Sequence, residues 1–367
     1  MDKLERLRRA ARANVAISAT YILPNAFTLP IQVYVYKALG TLISKNAALS
    51  AIPVKDDNDT WFFRLPEIDL SQTISFQKHC QIILTEPNEQ HFTAIYIFHH
   101  VIADGMSGKA FHETFFEALH DAATSLALGE ATRQVIPSPK LSMLPNLKAV
   151  HPCSMGFTSF LKQLFRIKIW HYRDTGLWTG PKSFTPFDIE IRQIVISETV
   201  STALRNRCRQ NQATITSAIH TAVARSLLAH LPEECTRLQA IGAMSCRRWL
   251  KTERGITDQS MGMDQYPPES FPWDAARQSC ATIKQVLGRE GKDSSLGLLR
   301  YVDSWGYEQS KIGEDRNGSF KASNLGAVKS VPEGDSWPQI RRKGLAESEM
   351  FEGVVGGIAR ELHSAAK

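Results

Sequence analysis

The pattern of hydrophobic and polar residues predicts strands and helices in alternation from the start of the chain. NVAISATYIL (14–23) is rich in β-branched residues, which is typical of a strand, after a charged helix predicted at 2–12. Apolar residues recur at helical spacing through 29–49, so a helix is predicted there. The segment 50–70 predicts two short strands around the polar turn DDND. Residues 79–105 then predict a strand, a turn, a second and stronger strand, and a loop that opens at His99.

The same pattern divides the chain into two lobes. An amphipathic helix is predicted at 107–128, whereas the periodicity weakens between 129 and 186, where prolines recur and a connection is expected. Further strands are predicted at 188–197, within 237–250 and at 319–328, with helices at 198–212, 215–231 and 277–291. This order predicts an α/β fold with mixed sheets flanked by helices. The N-terminal lobe is expected at 1–186 and the C-terminal lobe at 187–367.

Composition and charge narrow the class of protein. The 367 residues carry a formal net charge of +6, and their basic residues are scattered. A nucleic-acid-binding face would require a basic stripe interleaved with aromatics, so no nucleic-acid partner is expected. The six cysteines form no C-x-x-C pair, which argues against a zinc site or a disulfide scaffold. The apolar runs are of strand length, so we expect no membrane span. We also expect the protein to be cytoplasmic and monomeric.

The segment His99-His100-Val101-Ile102-Ala103-Asp104-Gly105 has the form H-H-x-x-x-D-G and directly follows the strongest predicted strand. A strand end followed by a tight loop can present an imidazole to a cleft. A neutral imidazole can accept the proton of an alcohol or amine as that group attacks a thioester. Asp104 can fix the loop, and Gly105 leaves space where a Cβ would crowd the backbone or an arriving cofactor. These residues predict an acyl-transfer site.

The motif resembles the signature of the chloramphenicol-acetyltransferase-like acyltransferase superfamily. NVAISATY, HHVIADGMSGKAFH, WTG at 178–180 and SNLG at 323–326 resemble its fungal alcohol acetyltransferase branch over about residues 10–330. The resemblance implies two lobes of chloramphenicol-acetyltransferase-like topology with an active-site channel between them. Residues after Gly326 have weak strand patterning, so the C-terminal lobe is expected to be shortened at its end.

The resemblance also implies a role for each motif residue. His100 is expected to be the catalytic base, Asp104 a structural support paired with Arg247 or Arg248, and His99 a structural neighbour. Acetyl-CoA or another short-chain acyl-CoA is the implied co-substrate. Three residues are expected to contact it: Gly105, Ser323 and Asn324.

We therefore expect an acyl-CoA-dependent O-acyltransferase that acts on a small alcohol, such as a hydroxylated fungal secondary metabolite. N-acylation of an amine stays open because the same base serves both reactions. An inactive relative that binds a ligand or a partner protein is the alternative outside enzymes, and another reaction on the same fold is a third.

Three further features invite a functional interpretation but favour a structural one. His112 has no carboxylate or cysteine at metal-ligand spacing, so no metal is expected. His220 is predicted to be a hydrogen-bonded core histidine. The aromatic and basic segment 157–170 is compatible with a membrane surface, but a helix that packs its apolar side on the protein is favoured.

Overall fold

The computed structural model divides the chain into two compact units. It describes residues 14–24, 27–55, 60–74, 91–100, 102–127, 129–144, 151, 154–168, 175–182, 194, 196–242, 245, 247, 273–290, 292–293, 313–316, 318–326, 339–341, 358–363 and 365. The first unit comprises Met1–Asn146, Leu250–Met263 and Leu325–Lys343. The second unit comprises Leu147–Trp249, Asp264–Asn324 and Gly344–Lys367. The boundary after residue 146 falls within the predicted connection 129–186.

The described helices and strands alternate along the chain. The strands are β1 (Asn14–Ile22), β2 (Ala51–Lys55), β3 (Thr60–Arg64), β4 (Glu67–Asp69), β5 (His91–His99), β6 (Val135–Pro137), β7 (Leu177–Trp178), β8 (Arg237–Leu238), β9 (Ala240–Gly242), β10 (Phe320–Ala322) and β11 (Gln339–Arg341). The α-helices are α1 (Ile31–Lys45), α2 (Leu70–Thr73), α3 (Gly105–Ala127), α4 (Phe157–Lys168), α5 (Glu198–Gln210), α6 (Ile215–Leu228) and α7 (Trp273–Leu287). A 3₁₀ turn covers Ala47–Ser50, and 358–363 is helical.

An antiparallel sheet of order β11-β1-β5 is the centre of the first unit. Strand β1 pairs with β5 along its whole length, from Asn14 opposite His99 to Ile22 opposite His91. The side chains of β5 alternate between the two faces of the sheet, so Phe92, Ala94, Tyr96 and Phe98 share the face that packs on the core. Helices α1 and α3 pack together in this core.

Aromatic side chains hold sheet and helix together in this unit. The Tyr96 ring stacks on Phe111 of α3 with centroids 3.9 Å apart, and the Tyr21 ring meets Phe115 edge-on at 5.4 Å. Phe111, Phe115 and Leu119 recur every four residues, which places them on one face of α3. The predicted amphipathic helix is confirmed, and it begins at Gly105, two residues earlier than the prediction.

Two antiparallel pairs complete the described part of the first unit. The hairpin β2–β3 confirms the two strands predicted within 50–70, and β4, which the sequence pattern did not predict, pairs with β6. Strand β11 pairs with β1 through Thr20 opposite Arg341. The weak strand pattern after Gly326 did not predict this strand, and the expectation of poor strand structure there is wrong for residues 339–341.

The second unit contains helices and short parallel strand pairs. Helices α5 and α6 contribute Leu204, Cys208, Ala218 and Ala222 to a core that Leu362 completes. Thr214 and Ser217 form a reciprocal capping box that begins α6. Strands β7 and β8 pair in parallel, as do β9 and β10. Parallel and antiparallel pairing together confirm the predicted mixed α/β class.

Most predicted elements within the described residues are confirmed. They include β1, β5, β10, α1, α5, α6 and α7, the last of which begins four residues before its prediction. The helix predicted at 2–12 and the first strand of 79–105 lie outside the described residues, as does nearly all of the strand predicted at 188–197. Among the described residues, no helix has both the length and the hydrophobicity needed to cross a membrane.

Candidate active site

The motif histidines lie where β5 ends. His99 is the last residue of the strand and pairs with Asn14 of β1, which fixes its backbone. His100 begins a turn that the Ile102 amide closes by donating to the His99 carbonyl at 2.9 Å. The chain then enters α3 at Gly105. The loop that carries His100 is therefore only a few residues long and is held by a strand on one side and a helix on the other.

The ring of His100 is oriented by one hydrogen bond. Its Nδ1 lies 3.0 Å from the backbone carbonyl oxygen of Ala103. Because a carbonyl oxygen can only accept, Nδ1 carries the proton and donates it. In the neutral ring Nε2 then carries the lone pair, and no other described residue hydrogen-bonds this ring. This is the tautomer that a general base requires if it acts through Nε2.

His99 differs from its neighbour in its surroundings. Burial lowers the pKa of His99 below its ordinary value, and the adjacent charge of His100 lowers it further. A depressed pKa keeps the His99 ring neutral at physiological pH. The sheet alternation also places His99 on the face opposite Phe98 and the core.

Asp104 is the N-cap of α3. Its buried carboxylate oxygen Oδ1 accepts from the backbone N–H of Ser107 at 2.8 Å and from the Ser107 hydroxyl at 2.7 Å. The Ser107 hydroxyl oxygen accepts in turn from the Asp104 amide at 3.2 Å, so the two residues cap the helix reciprocally. The Asp104 carbonyl accepts the first helical bond, from Gly108 at 3.1 Å. Asp104 thus fixes the loop through the helix start, whereas the family resemblance implied support through an arginine.

Two glycines allow close packing around this loop. A Cβ on Gly105 would lie 2.7 Å from Cδ2 of Leu325, so the Leu325 side chain fills the space that the missing side chain leaves. A Cβ on Gly108 would lie 2.3 Å from Cδ1 of Ile17. Gly108 therefore lets the first turn of α3 approach β1 closely, which positions the helix start that Asp104 caps. A contact between Gly105 and a co-substrate stays a prediction.

His112 is a structural link that the sequence did not predict. Its Nε2 lies 2.9 Å from the carbonyl oxygen of Ile17 and therefore donates, while Nδ1 lies 2.8 Å from the Tyr21 hydroxyl. Burial raises the pKa of Tyr21 far above its ordinary value, so its hydroxyl stays protonated and can donate to Nδ1. His112 therefore ties α3 to β1. Because the two residues lie 91 positions apart, no local sequence pattern predicts their hydrogen bond.

The residues of SNLG that are predicted to contact the co-substrate, Ser323 and Asn324, lie in the second unit. Ser323 and Asn324 are exposed directly after β10, and the Asn324 amide nitrogen donates to the Thr216 hydroxyl of α6 at 2.9 Å. This bond orients the Asn324 side chain. Gly326 follows with a φ of +71°, a left-handed conformation that glycine adopts without strain.

The predicted arginine partner of Asp104 stays a prediction. Arg247 is buried in the second unit, and its Nη1 donates to the Ser245 hydroxyl at 3.2 Å. Arg248 lies outside the described residues.

His220 is buried in α6, but it is not hydrogen-bonded as predicted. Among the residues that the structure describes, neither of its ring nitrogens has a hydrogen-bond partner, and its ring meets Phe320 edge-on at 6.2 Å. Burial lowers the pKa of His220, which keeps the ring neutral. Among the described residues, no group of three or more His, Cys, Asp or Glu side chains could hold a metal ion.

Comparisons with known proteins agree with the motif. Residues 80–261, about half of the chain, match the family model of the alcohol acetyltransferases. A probable alcohol acetyltransferase of Aspergillus fumigatus, crmB, is 26% identical over 375 residues, covering 85% of this chain and 79% of that protein. The chain belongs to the alcohol acetyltransferase family. The resemblance inferred from the sequence is thereby confirmed, and the chain is an acyltransferase.

Another fungal member of the family gives a shorter match. FCK4 of Fusarium pseudograminearum, also a probable alcohol acetyltransferase, is 23% identical over 268 residues. The match covers 65% of this chain and only about half, 54%, of FCK4.

Solved structures place this alcohol acetyltransferase in the predicted fold class. Polyketide synthase associated protein 5 of Mycobacterium tuberculosis superposes with a TM-score of 0.56 at 12% identity, covering 100% of this chain and 97% of that one. The first condensation domain of the calcium-dependent antibiotic synthetase gives 0.62 at 10% identity, with 99% and 93% covered. At such low identity these likenesses show the fold alone, which is that of the chloramphenicol-acetyltransferase-like acyltransferases.

Proposed function

We propose that this chain transfers an acetyl or another short acyl group from CoA to the hydroxyl of a small alcohol, with His100 as general base. The observation that carries the proposal is the 3.0 Å bond from His100 Nδ1 to the Ala103 carbonyl, because it leaves the lone pair on Nε2. Membership of the alcohol acetyltransferase family supports the acceptor class. An alcohol acceptor also agrees with the description of crmB as a probable alcohol acetyltransferase.

The reaction needs no covalent enzyme intermediate. Nε2 of His100 takes the proton of the acceptor hydroxyl while the oxygen attacks the thioester carbonyl carbon. The carbon–sulfur bond then breaks, and the departing thiolate receives the same proton from the imidazolium. The products are an ester and free CoA, so atoms and charges balance. The thioester is already activated, and positioning of the two substrates supplies much of the remaining rate.

The supports of His100 have separate roles in this proposal. Asp104 and Ser107 hold the helix start, and Ala103 holds the ring. Ser323 and Asn324 are exposed polar residues, and we propose that they contact the acyl-CoA. Asn324 would present its amide in the orientation that Thr216 imposes.

The test is release of free thiol from acetyl-CoA with a panel of alcohols and amines as acceptors. We expect His100→Ala to reduce the rate by about 10² or more, the usual contribution of a general base. His230→Ala is the matched control, since the exposed His230 also directs Nδ1 to a backbone carbonyl, that of Ser226 at 2.7 Å. Equal thiol release by wild type and His100→Ala would disprove the role of His100.

The acceptor panel separates the remaining alternatives. Faster turnover with amines than with alcohols would replace O-acylation by N-acylation with the same base. If millimolar acetyl-CoA fails to raise the melting temperature of the folded wild type, the chain is instead a relative that no longer binds the co-substrate.

A further inference from the structure

Leu325 packs against the start of α3 in the first unit. A Cβ built on Gly105 would lie 2.7 Å from Cδ2 of Leu325, 3.9 Å from its Cγ and 4.0 Å from its Cδ1. Among the described residues, these are the three heavy atoms nearest to that position, so one leucine side chain occupies the open side of Gly105. Leu325 is half-buried, and both residues belong to the first unit. The contact therefore places Leu325 against the last residue of the H-H-x-x-x-D-G motif.

Gly105 lies close to the group that orients His100. It is the first residue of α3 and directly follows Asp104, the N-cap. Ala103 precedes the cap, and its carbonyl accepts the Nδ1 proton of His100 at 3.0 Å. A displacement of Gly105 is therefore transmitted to that carbonyl through a single residue. Packing on Gly105 is packing on the support of the His100 ring.

A second contact of the same kind holds this turn against the sheet. At Gly108, Cδ1 of Ile17 occupies the space that a Cβ would need. Ile17 belongs to β1, so this contact fixes the turn relative to the central sheet. Gly105 lies three positions nearer the helix end, where α-helices fray. Leu325 is thus the described side chain that covers the end residue itself.

We propose that Leu325 is a positioning residue for His100 and that Gly105 and Leu325 form a size-matched pair. Leu325 holds the helix start and thereby sets the carbonyl of Ala103 that receives the Nδ1 proton. Truncation of Leu325 leaves space in which the helix end moves, and the imidazole ring moves with it. A misplacement of about 1 Å can cost on the order of 10² in rate. The inference rests on the proposed role of His100.

Thiol-release kinetics of a double-mutant cycle in the full chain test the pair. Leu325→Ala should lower kcat about tenfold or more and keep the KM for acetyl-CoA within about twofold, because the base is misdirected while the co-substrate still binds. Gly105→Ala should also lower kcat about tenfold, since its Cβ displaces Leu325. The double variant Gly105→Ala/Leu325→Ala should be several times faster than Gly105→Ala, because the new Cβ fills space that the leucine has left. Leu325→Met, a swap that conserves volume, should retain most of kcat.

Leu65→Ala is the matched control for a general loss of packing. Leu65 is likewise half-buried, but it packs on the apolar cluster around Ile68. Leu65→Ala should lower the melting temperature about as much as Leu325→Ala does and keep the wild-type kcat. A wild-type kcat in Leu325→Ala, or an equal loss of kcat in Leu65→Ala, would overturn the positioning role. A folded double variant no faster than Gly105→Ala would assign the space beside Gly105 to the co-substrate and overturn the pair.

The tautomer of His100 gives a readout that does not depend on turnover. We expect NMR of the ¹⁵N-histidine-labelled full chain, at about pH 9 where histidines are ordinarily neutral, to show His100 with its proton on Nδ1. The spectrum of His100→Ala identifies this signal. Leu325→Ala should give a mixture of the two tautomers, because the carbonyl of Ala103 is no longer held. If the wild type releases no thiol but Leu325→Ala changes the tautomer, the proposed function fails and the positioning role stands. An unchanged tautomer in Leu325→Ala would overturn the inference whatever the turnover.

Discussion

Replacement of Asp104 by asparagine and by alanine should separate the two roles that this carboxylate can have. Asparagine keeps an oxygen in the position of Oδ1, so it can still accept from the Ser107 amide and hydroxyl, now at 2.8 and 2.7 Å. Alanine loses both bonds. The difference between the two variants therefore measures the helix cap, and the difference between wild type and Asp104→Asn measures the negative charge, including the predicted pair with Arg247 or Arg248.

The expected magnitudes make the comparison decisive. Asparagine and aspartate are about equally good N-caps, whereas alanine at an N-cap costs about 0.5–2 kcal/mol. The free energy of unfolding of Asp104→Ala should therefore be about 1 kcal/mol lower than that of Asp104→Asn. Loss of one partner of a buried ion pair costs roughly 3–5 kcal/mol and would appear in both variants.

Urea denaturation followed by circular dichroism gives these free energies, and thiol release measured on the same samples gives the activity. If Asp104→Asn and Asp104→Ala are equally unstable, the cap contributes nothing measurable and our account of the helix start is refuted. If Asp104→Asn is folded and active while Asp104→Ala is not, the residue acts through α3. Ser107→Ala, which removes the hydroxyl that bonds the same Oδ1, is the independent check.

Two further predictions concern stability. Gly108→Ala should destabilise the protein by about 1–3 kcal/mol in spite of the better helix propensity of alanine, because its Cβ would lie 2.3 Å from Ile17 Cδ1. Ile17→Ala in the same chain should restore most of that loss, and additive effects of the two substitutions in a double-mutant cycle would contradict the packing account. For His220, the folded pKa lies below the ordinary value of 6.5, so the unfolded chain binds the proton first and stability is lost as the pH falls below about 6.5. Melting temperatures between pH 7 and pH 5 should therefore fall less in His220→Leu than in wild type, and parallel curves would show that His220 does not titrate as described.

The sequence predicted the helices and strands whose apolar side chains repeat regularly over several residues. β5 alternates apolar side chains toward one core face, and α5 and α6 place theirs at helical spacing, so the sequence alone located them. The pairs β7–β8 and β9–β10 involve only two or three residues on each strand. Such short strands exist because tertiary neighbours supply hydrogen-bond partners, and no periodicity can develop over that length. The same reason explains why β11 was not predicted.

The helix start at Gly105 has a local signal in the sequence. Asp104 and Ser107 have the spacing of a reciprocal cap, an N-cap residue followed three positions later by a polar side chain. The apolar spacing instead predicted a helix start two residues later, at Ser107. For α4 the prediction that its apolar side packs on the protein is wrong for four exposed side chains, Phe157, Leu161, Leu164 and Phe165. The limit is physical: amphipathic spacing shows that a helix has an apolar face, but it does not show what that face contacts.

The short motif predicted the location of His100 well because the placement of this side chain is a local property. His99 is held by the ladder with Asn14, and Asp104 is held by the cap of α3, so both ends of the intervening loop are fixed by backbone hydrogen bonds. The acceptor of the His100 Nδ1 proton is the carbonyl of Ala103, the residue next to the cap. A shift in the helix start would therefore move that acceptor and turn Nε2 with it. The orientation of the His100 ring thus depends on a loop of only a few residues, so a short motif is enough to indicate it.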